Sequence, residues 1–252
     1  MDPTEASHRL AQFLTEHRRL FVLTGAGIST ASGIPAYRDD NGDWTRPAPV
    51  QFRDFVRHHS VRQRYWARSM VGWAAFELAR PNRCHAELAR WEESGIIDQL
   101  VTQNVDRLHQ RAGSQRAIDL HGRLDRVVCL DCGERVRRED LQRVLQRRNP
   151  HFASLAAASA PDGDAYLEDV AFEDVDVPTC RTCGGMLKPD VVFFGETVPT
   201  ETVDQAKQAL DRAEAVLVVG SSLMVYSGYR FCRLAAEQNK PIAAISPGKT
   251  RA

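Results

Sequence analysis

The stretch Leu100–Gly122, LVTQNVDRLHQRAGSQRAIDLHG, constrains this chain more than any other. Its apolar start, Asp98–Thr102, has strand character and gives way at once to Gln103, Asn104, Val105 and Asp106, amide and carboxylate groups where that strand must end. A short helix is expected from about Val105 to Ala112, stopped by Gly113 at the left-handed cap position. A second short strand, Ala117–Leu120, delivers His121 and Gly122. Two adjacent strand ends thus present Gln, Asn, Asp and His at one rim of a sheet. In open parallel sheets the crevice beyond the carboxyl ends of the strands is where ligands bind.

The same layout recurs along the chain. Leu20–Thr24 is a short apolar strand that runs into Gly25-Ala26-Gly27-Ile28-Ser29. Gly25 and Gly27 allow backbone amides to approach a pyrophosphate, and a helix start favours its charge. Thr30 stands where a third glycine would complete the fingerprint, so a plain tight turn is the competing reading. Gly33 to Asp43, with Asn41-Gly42, is a polar loop where an ordinary dehydrogenase would place its second strand, so a standard hydride-transfer layout fails here. Ala215–Val219 is an unbroken apolar run, as in a parallel strand buried on both faces, and ends at Gly220-Ser221-Ser222. Those small residues suit phosphate or ribose, or simply a strand-to-helix turn. Helices are expected over Thr4–Arg19, Phe52–Leu78, Pro81-Asn82 to Gly95, Thr200–Arg212 and through Ala236, with a last strand at Pro241–Ile245. The apolar run Val191–Phe194 is expected to resume the sheet.

Residues 126–188 differ in kind. Cys129-x-x-Cys132 and Cys180-x-x-Cys183 flank a polar insert, Ala153–Asp176. Four thiolates in two such pairs match a closed, structural tetrahedral zinc site. A redox pair or buried thiols are the alternatives. Cys84 and Cys232 fall in helical patterns and read as inert. Lys plus Arg and Asp plus Glu each total 33, so no bulk positive field recommends a nucleic-acid partner. No apolar run approaches the roughly 18 residues that span a bilayer. Asp2, Glu5 and Glu16 disfavour a presequence, leaving a cytoplasmic location as the expectation.

His121 alone is more readily a structural hydrogen-bonder than a general base. Gln103, Asn104 and Asp106 at the same rim, opposite the glycine turn, favour the base. No Ser or Cys sits in a nucleophile elbow, so the chemistry falls on a cofactor.

GAGIS, GIPAYR, TQNVDRLHQRAG, LHG, the two C-x-x-C pairs, KPDVVFFGE and VVGSSL occur in the order found in sirtuins and cover nearly the whole chain. The chain resembles the sirtuin family of NAD-dependent protein-lysine deacylases. Val61–Arg68, Val225–Phe231 and the APDGD of Ala160–Asp164 make it most similar to the sirtuin-4 group and its bacterial relatives. The resemblance implies an α/β fold: a Rossmann-like parallel sheet with helices on both faces (1–39, 82–125 and 189–252), plus a small domain. That domain joins a helical module with the cofactor loop (40–81) to a zinc-binding module (126–188). NAD would lie over Gly25, Ala26 and Gly27, with Pro35, Tyr37 and Arg38 from the loop. Gln103, Asn104 and Asp106 would surround the nicotinamide and its ribose, and Gly220, Ser221, Ser222 and Ser246 the adenosine half. His121 would act as general base, with Asn104 and Asp106 as its catalytic partners; the products would be lysine, nicotinamide and 2′-O-acyl-ADP-ribose. Val191, Val192, Phe193 and Phe194 would pair with an acyl-lysine peptide, and Tyr65 with Arg68 would hold the distal carboxylate of an acidic acyl group. A monomer is expected.

Three departures stand out. Ala36-Tyr37 replaces the more frequent Asp-Phe, Ser246 stands where an Asn is common, and the chain ends about where a further family segment should begin. Weaker NAD binding and lower stability are the expectation. Mono-ADP-ribosyl transfer, or NAD sensing with little catalysis, are the rival functions.

Overall fold

The computed structural model describes residues 2–39, 41, 43–45, 49–155, 163–167 and 170–251. Asp40 and Gly42 of the polar loop, and Ala160, Pro161 and Asp162 of the APDGD motif, lie outside the described residues.

In chain order the elements are α1 (Pro3–Glu16), β1 (Leu20–Thr24), a 3-10 helix (Ala26–Ser32), α2 (Phe52–Arg57), α3 (His59–Leu78), α4 (Arg83–Glu93), β2 (Ile97–Thr102), α5 (Leu108–Arg111) and β3 (Ile118–Asp119). There follow β4 (Gly122–Cys129), β5 (Arg135–Arg137), α6 (Arg138–Arg148), α7 (Pro150–Ala153), β6 (Leu187–Val191), α8 (Thr200–Arg212), β7 (Val216–Val219), α9 (Tyr226–Glu237) and β8 (Ile242–Ile245).

Five strands form a parallel sheet in the order β3-β2-β1-β7-β8. Alternation along β1 divides its side chains between two cores. Phe21 and Leu23 join Val203, Leu210 and Phe231 of α8 and α9, whereas Leu20 and Val22 join Leu88 of α4, with Leu10 and Phe13 of α1 against them. Burial on both faces explains why these strands read as unbroken apolar runs.

The second sheet is antiparallel, in the order β5-β4-β6, and corrects one expectation. The apolar run near Val191 does not resume the parallel sheet; Leu187–Val191 pairs with β4. An apolar run of that length fits an edge of either sheet, and only pairing decides. The boundaries expected at 125/126 and 188/189 therefore fall inside β4 and β6. The two expected modules share one core, in which Phe55, Tyr65 and Trp66 pack with Val127, Leu141 and Leu187. The expected helix over Phe52–Leu78 is broken at His58, whose backbone is extended. That expected over Val105–Ala112 shrinks to Leu108–Arg111, because Arg107 takes a positive φ of 63°. Asp106 Oδ1 instead accepts from the Leu108 N–H at 2.9 Å, a side-chain bond that competes with helix.

Candidate active site and metal centre

Leu120 and His121 lead from β3 of the first sheet directly into β4 of the second, so His121 sits where the two sheets meet. Gly122 makes that junction: its φ is 80°, and a Cβ there would collide with the Asp190 carbonyl oxygen. Beside it opens a cavity of about 590 Å³, of the size that holds small-molecule ligands.

The cavity floor is two turns in contact. Gly25 donates its N–H to Val219 O at 3.2 Å, and Gly27 donates to Gly220 O at 2.8 Å. A Cβ at Gly25 would come within 2.8 Å of Ser221 Cβ, one at Gly27 within 2.8 Å of Gly220 O, and one at Gly220 would strike the Ile28 nitrogen. The amides of Gly25 and Gly27 thus serve the approach of β1 and β7, and do not face the cavity as the sequence led us to expect. Both turns remain in the lining with Ala26, Ser222 and Ser246.

The polar rim is held from beneath. Ser29 Oγ donates to Asp106 Oδ2 at 2.6 Å, and Asn104 Nδ2 reaches Ser29 Oγ at 3.0 Å and Gly25 O at 3.1 Å. Gln103 Nε2 donates to Ser221 Oγ at 2.8 Å. Ser29, fully enclosed, was invisible as a site residue because a serine after a glycine turn reads as a helix start. His121 Nδ1 lies 2.9 Å from the Gln103 carbonyl, which can only accept, so Nδ1 bears the hydrogen and Nε2 the lone pair. Burial, opposed by that carbonyl and aided by the Arg230 charge, pushes the His121 pKa down to about 4. The ring is neutral at pH 7, as a base must be.

Gln103, Asn104, Asp106, His121, Tyr37 and Arg38 all line the cavity; Pro35 does not. Tyr37, Trp44 and Phe194 form an aromatic cluster with centroids 5.7–6.4 Å apart, and the Arg38 guanidinium lies 4.1 Å above Trp44. Val191, Val192, Phe193 and Phe194 are in the lining too, but their backbone is largely spoken for. Val192 N–H donates to His121 O, Phe193 N–H to the Glu196 carboxylate, and the Phe194 carbonyl accepts from Phe52. Exposed Met224, Val225 and Tyr226, not assigned to the site from the sequence, line the same cavity.

Of the proposed acyl clamp, only Tyr65 lines the cavity. Arg68 is turned away: its Nε donates to Ala165 O at 2.7 Å and lies 3.3 Å from Asp164 Oδ2, a buried carboxylate. Its charge is already matched, which corrects its assignment as a substrate-binding residue. The partner comes from 96 positions along the chain (164 − 68), beyond any local pattern.

The four cysteines converge as expected. Cys129 and Cys183 sulfurs are 3.5 Å apart, Cys132 and Cys180 sulfurs 3.7 Å, and all four lie within 4.8 Å of one another. These separations exceed a disulfide bond. Tetrahedral zinc with bonds of about 2.3 Å needs sulfurs about 3.8 Å apart, so the donor set and its spacing fit one structural ion.

Comparison with known proteins agrees with this geometry. The chain is 59% identical over 249 residues to a "NAD-dependent protein deacetylase" of Xanthomonas campestris pv. campestris (strain 8004), covering 99% of this chain and 85% of that protein. It is 51% identical over 254 residues to the human "NAD-dependent protein lipoamidase sirtuin-4, mitochondrial", covering 100% of this chain and 81% of that one. A solved Sir2–p53 peptide–NAD+ complex superposes with a TM-score of 0.73 at 31% identity, covering 96% of this chain and 87% of that one. The model of the Sir2 family matches residues 25–227, and the chain belongs to that family.

Proposed function

We propose that this protein is a NAD-dependent protein-lysine deacylase that yields free lysine, nicotinamide and 2′-O-acyl-ADP-ribose. The observation that carries the reading is the neutral imidazole of His121, its Nε2 lone pair held at the wall of a cavity floored by the two glycine turns. NAD fits that cavity: any Cβ on Gly25, Gly27 or Gly220 would disrupt its floor, and the rim above is a fixed set of amide, carboxylate and imidazole groups.

When bound, NAD supplies a ribose carbon that becomes electrophilic as nicotinamide leaves, open to the acyl oxygen of a substrate lysine. Asn104 and Asp106 hold the nicotinamide end, and Ser29 fixes both side chains. His121 Nε2 takes the proton of a ribose hydroxyl. Gly220, Ser221, Ser222 and Ser246 hold the adenosine half. Tyr37 and Arg38 line the site, Tyr37 against Phe194 and Arg38 against Trp44. The deacylase names of the relatives favour this reading over ADP-ribosyl transfer and NAD sensing.

The acyl end is lined by Pro49, Val50, Tyr65, Leu124, Val191 and Phe193, with Arg68 neutralised behind it. That lining favours neutral acyl groups over succinyl or glutaryl. The reading also includes division of labour between a NAD-binding parallel sheet and a zinc-stapled second sheet, and a monomeric, cytoplasmic enzyme without nucleic-acid partners. No helix among the described residues is long and apolar enough to cross a membrane. The test is nicotinamide release from NAD with acetyl-, succinyl-, glutaryl- and long-chain acyl-lysine peptides. Release that needs a peptide and collapses in His121→Ala is expected. Absence of release with every peptide, from folded and zinc-loaded protein, would overturn the reading.

A further inference from the structure

Val225–Phe231 enters the sequence reading only as a family likeness, yet the first turn of α9 places a side chain against the base nitrogen of His121. Ser227 Oγ lies 2.7 Å from His121 Nε2. Since Nδ1 donates to the Gln103 carbonyl, Nε2 accepts, and the Ser227 hydroxyl is the donor. The approach is built into the backbone. Gly228, the next residue, is buried against the Gln103 amide, and a Cβ there would collide with Gln103 Oε1. A larger residue at 228 would have to displace the Gln103 amide, which is itself bonded to Ser221 Oγ. Three residues on, Arg230 lines the same cavity with its buried Nε unpartnered, so a positive charge on the same helix opposes protonation of the ring.

We propose that Ser227 is a positioning residue for the deacylation reaction, holding the His121 imidazole by its Nε2 lone pair until a ribose hydroxyl takes the place of the serine. The inference rests on the deacylase reading for its kinetic part only. With both ring nitrogens bonded, the imidazole cannot swing about its side-chain torsions. With Ser227 removed, Nδ1 alone tethers it. A base displaced by about 1 Å loses up to about a hundredfold in rate.

The test combines kinetics with the apoenzyme's own imidazole signal. In protein labelled with 15N-histidine, the His121 resonances are identified by their loss in His121→Gln. The Nε2 resonance is expected to move downfield in Ser227→Ala, as its hydrogen bond is lost, and to return in Ser227→Thr. A tenfold to hundredfold lower kcat is expected for Ser227→Ala, with KM for NAD unchanged or lower and kcat largely restored by Ser227→Thr. An Nε2 resonance identical in wild type and Ser227→Ala, or an unchanged kcat, would overturn the proposal. Should Ser227→Ala not fold, the wild-type spectrum decides: a free-acceptor Nε2 signal refutes the contact. An intact shift in protein inactive on every peptide would retire the deacylase reading and uphold the contact.

Discussion

The cysteine cluster of the second sheet and the rim around His121 are both gatherings of reactive side chains, and they are closed in opposite senses. The four sulfurs face one another, at the spacing a single ion requires. At the rim, Ser29, Gln103 and Ser221 tie the polar groups together from below while leaving imidazole, amide and carboxylate edges on a cavity. One region uses its chemistry to hold its own fold, the other spends part of its bonding to keep the remainder available. A third arrangement sharpens the contrast. His85 and His109 meet as a tilted pair with centroids 4.8 Å apart in the interior, outside the cavity lining, with His109 Nε2 2.9 Å from Thr24 Oγ1. Burial pushes the His109 pKa down to about 3, much as for His121, so a depressed pKa does not by itself mark a catalytic histidine.

If the cluster is purely structural, removing its metal should produce the largest effect. Structural zinc contributes on the order of 10–16 kcal/mol of apparent binding energy. Chelation, or Cys180→Ser, is therefore expected to unfold the second sheet, seen as loss of hydrogen-exchange protection over 122–145. Protection of β1 and β7 should survive; its simultaneous loss would show the two regions to be one cooperative unit.

Next in size, His121→Ala should lower deacylation by about 10²–10⁴-fold with zinc content and melting temperature nearly unchanged. A comparable fall in stability would make His121 structural like His109. Arg68→Ala should lower stability in denaturant unfolding, because it removes the ion pair to the buried Asp164 carboxylate, while leaving the ratio of acetyl to succinyl turnover unaltered. A changed ratio would restore Arg68 to the acyl site. Ser29→Ala, which frees Asp106 Oδ2, is expected to cost about 1–3 kcal/mol of transition-state stabilisation in kcat/KM.

The most gradual effect is with pH. His109 is held neutral in the fold, with its pKa below that of the unfolded chain, so the unfolded state binds the proton first as pH falls. Its contribution is complete above about pH 6.5 and is lost as pH falls towards 3, by up to about 1.4 kcal/mol per pH unit. His109→Gln should flatten that slope in denaturant titrations. On the same grounds, the His121 limb of kcat/KM should stay flat from pH 7 down to about 5.

The strand ends were legible because they are local: five apolar runs each close on a small or polar residue, and these meet at one rim. The cysteine pairs were legible because their spacing is chemistry in itself. What depended on through-space partners was not. The pairing of β6 with β4, the capture of Arg68 by Asp164, and the reach of Ser227 to His121 each join segments separated by scores of residues. Gly228 gives no sign in the sequence of the amide it must accommodate. The glycine turn was read for its ligand, whereas its amides answer first to the neighbouring strand.

That last feature has a bearing on how such a protein can change over generations. A methyl group on Gly27 would meet the Gly220 backbone, one on Gly220 the backbone of Gly27 and Ile28, and one on Gly25 the Ser221 side chain and the Gly220 carbonyl oxygen. A replacement at any of the three forces the neighbouring turn to shift, because close-packed backbone cannot yield the volume. Each of the three sites is therefore held to glycine by the turn it faces. Drift elsewhere in the sheet can proceed one residue at a time, but the floor beneath the ligand is inherited whole.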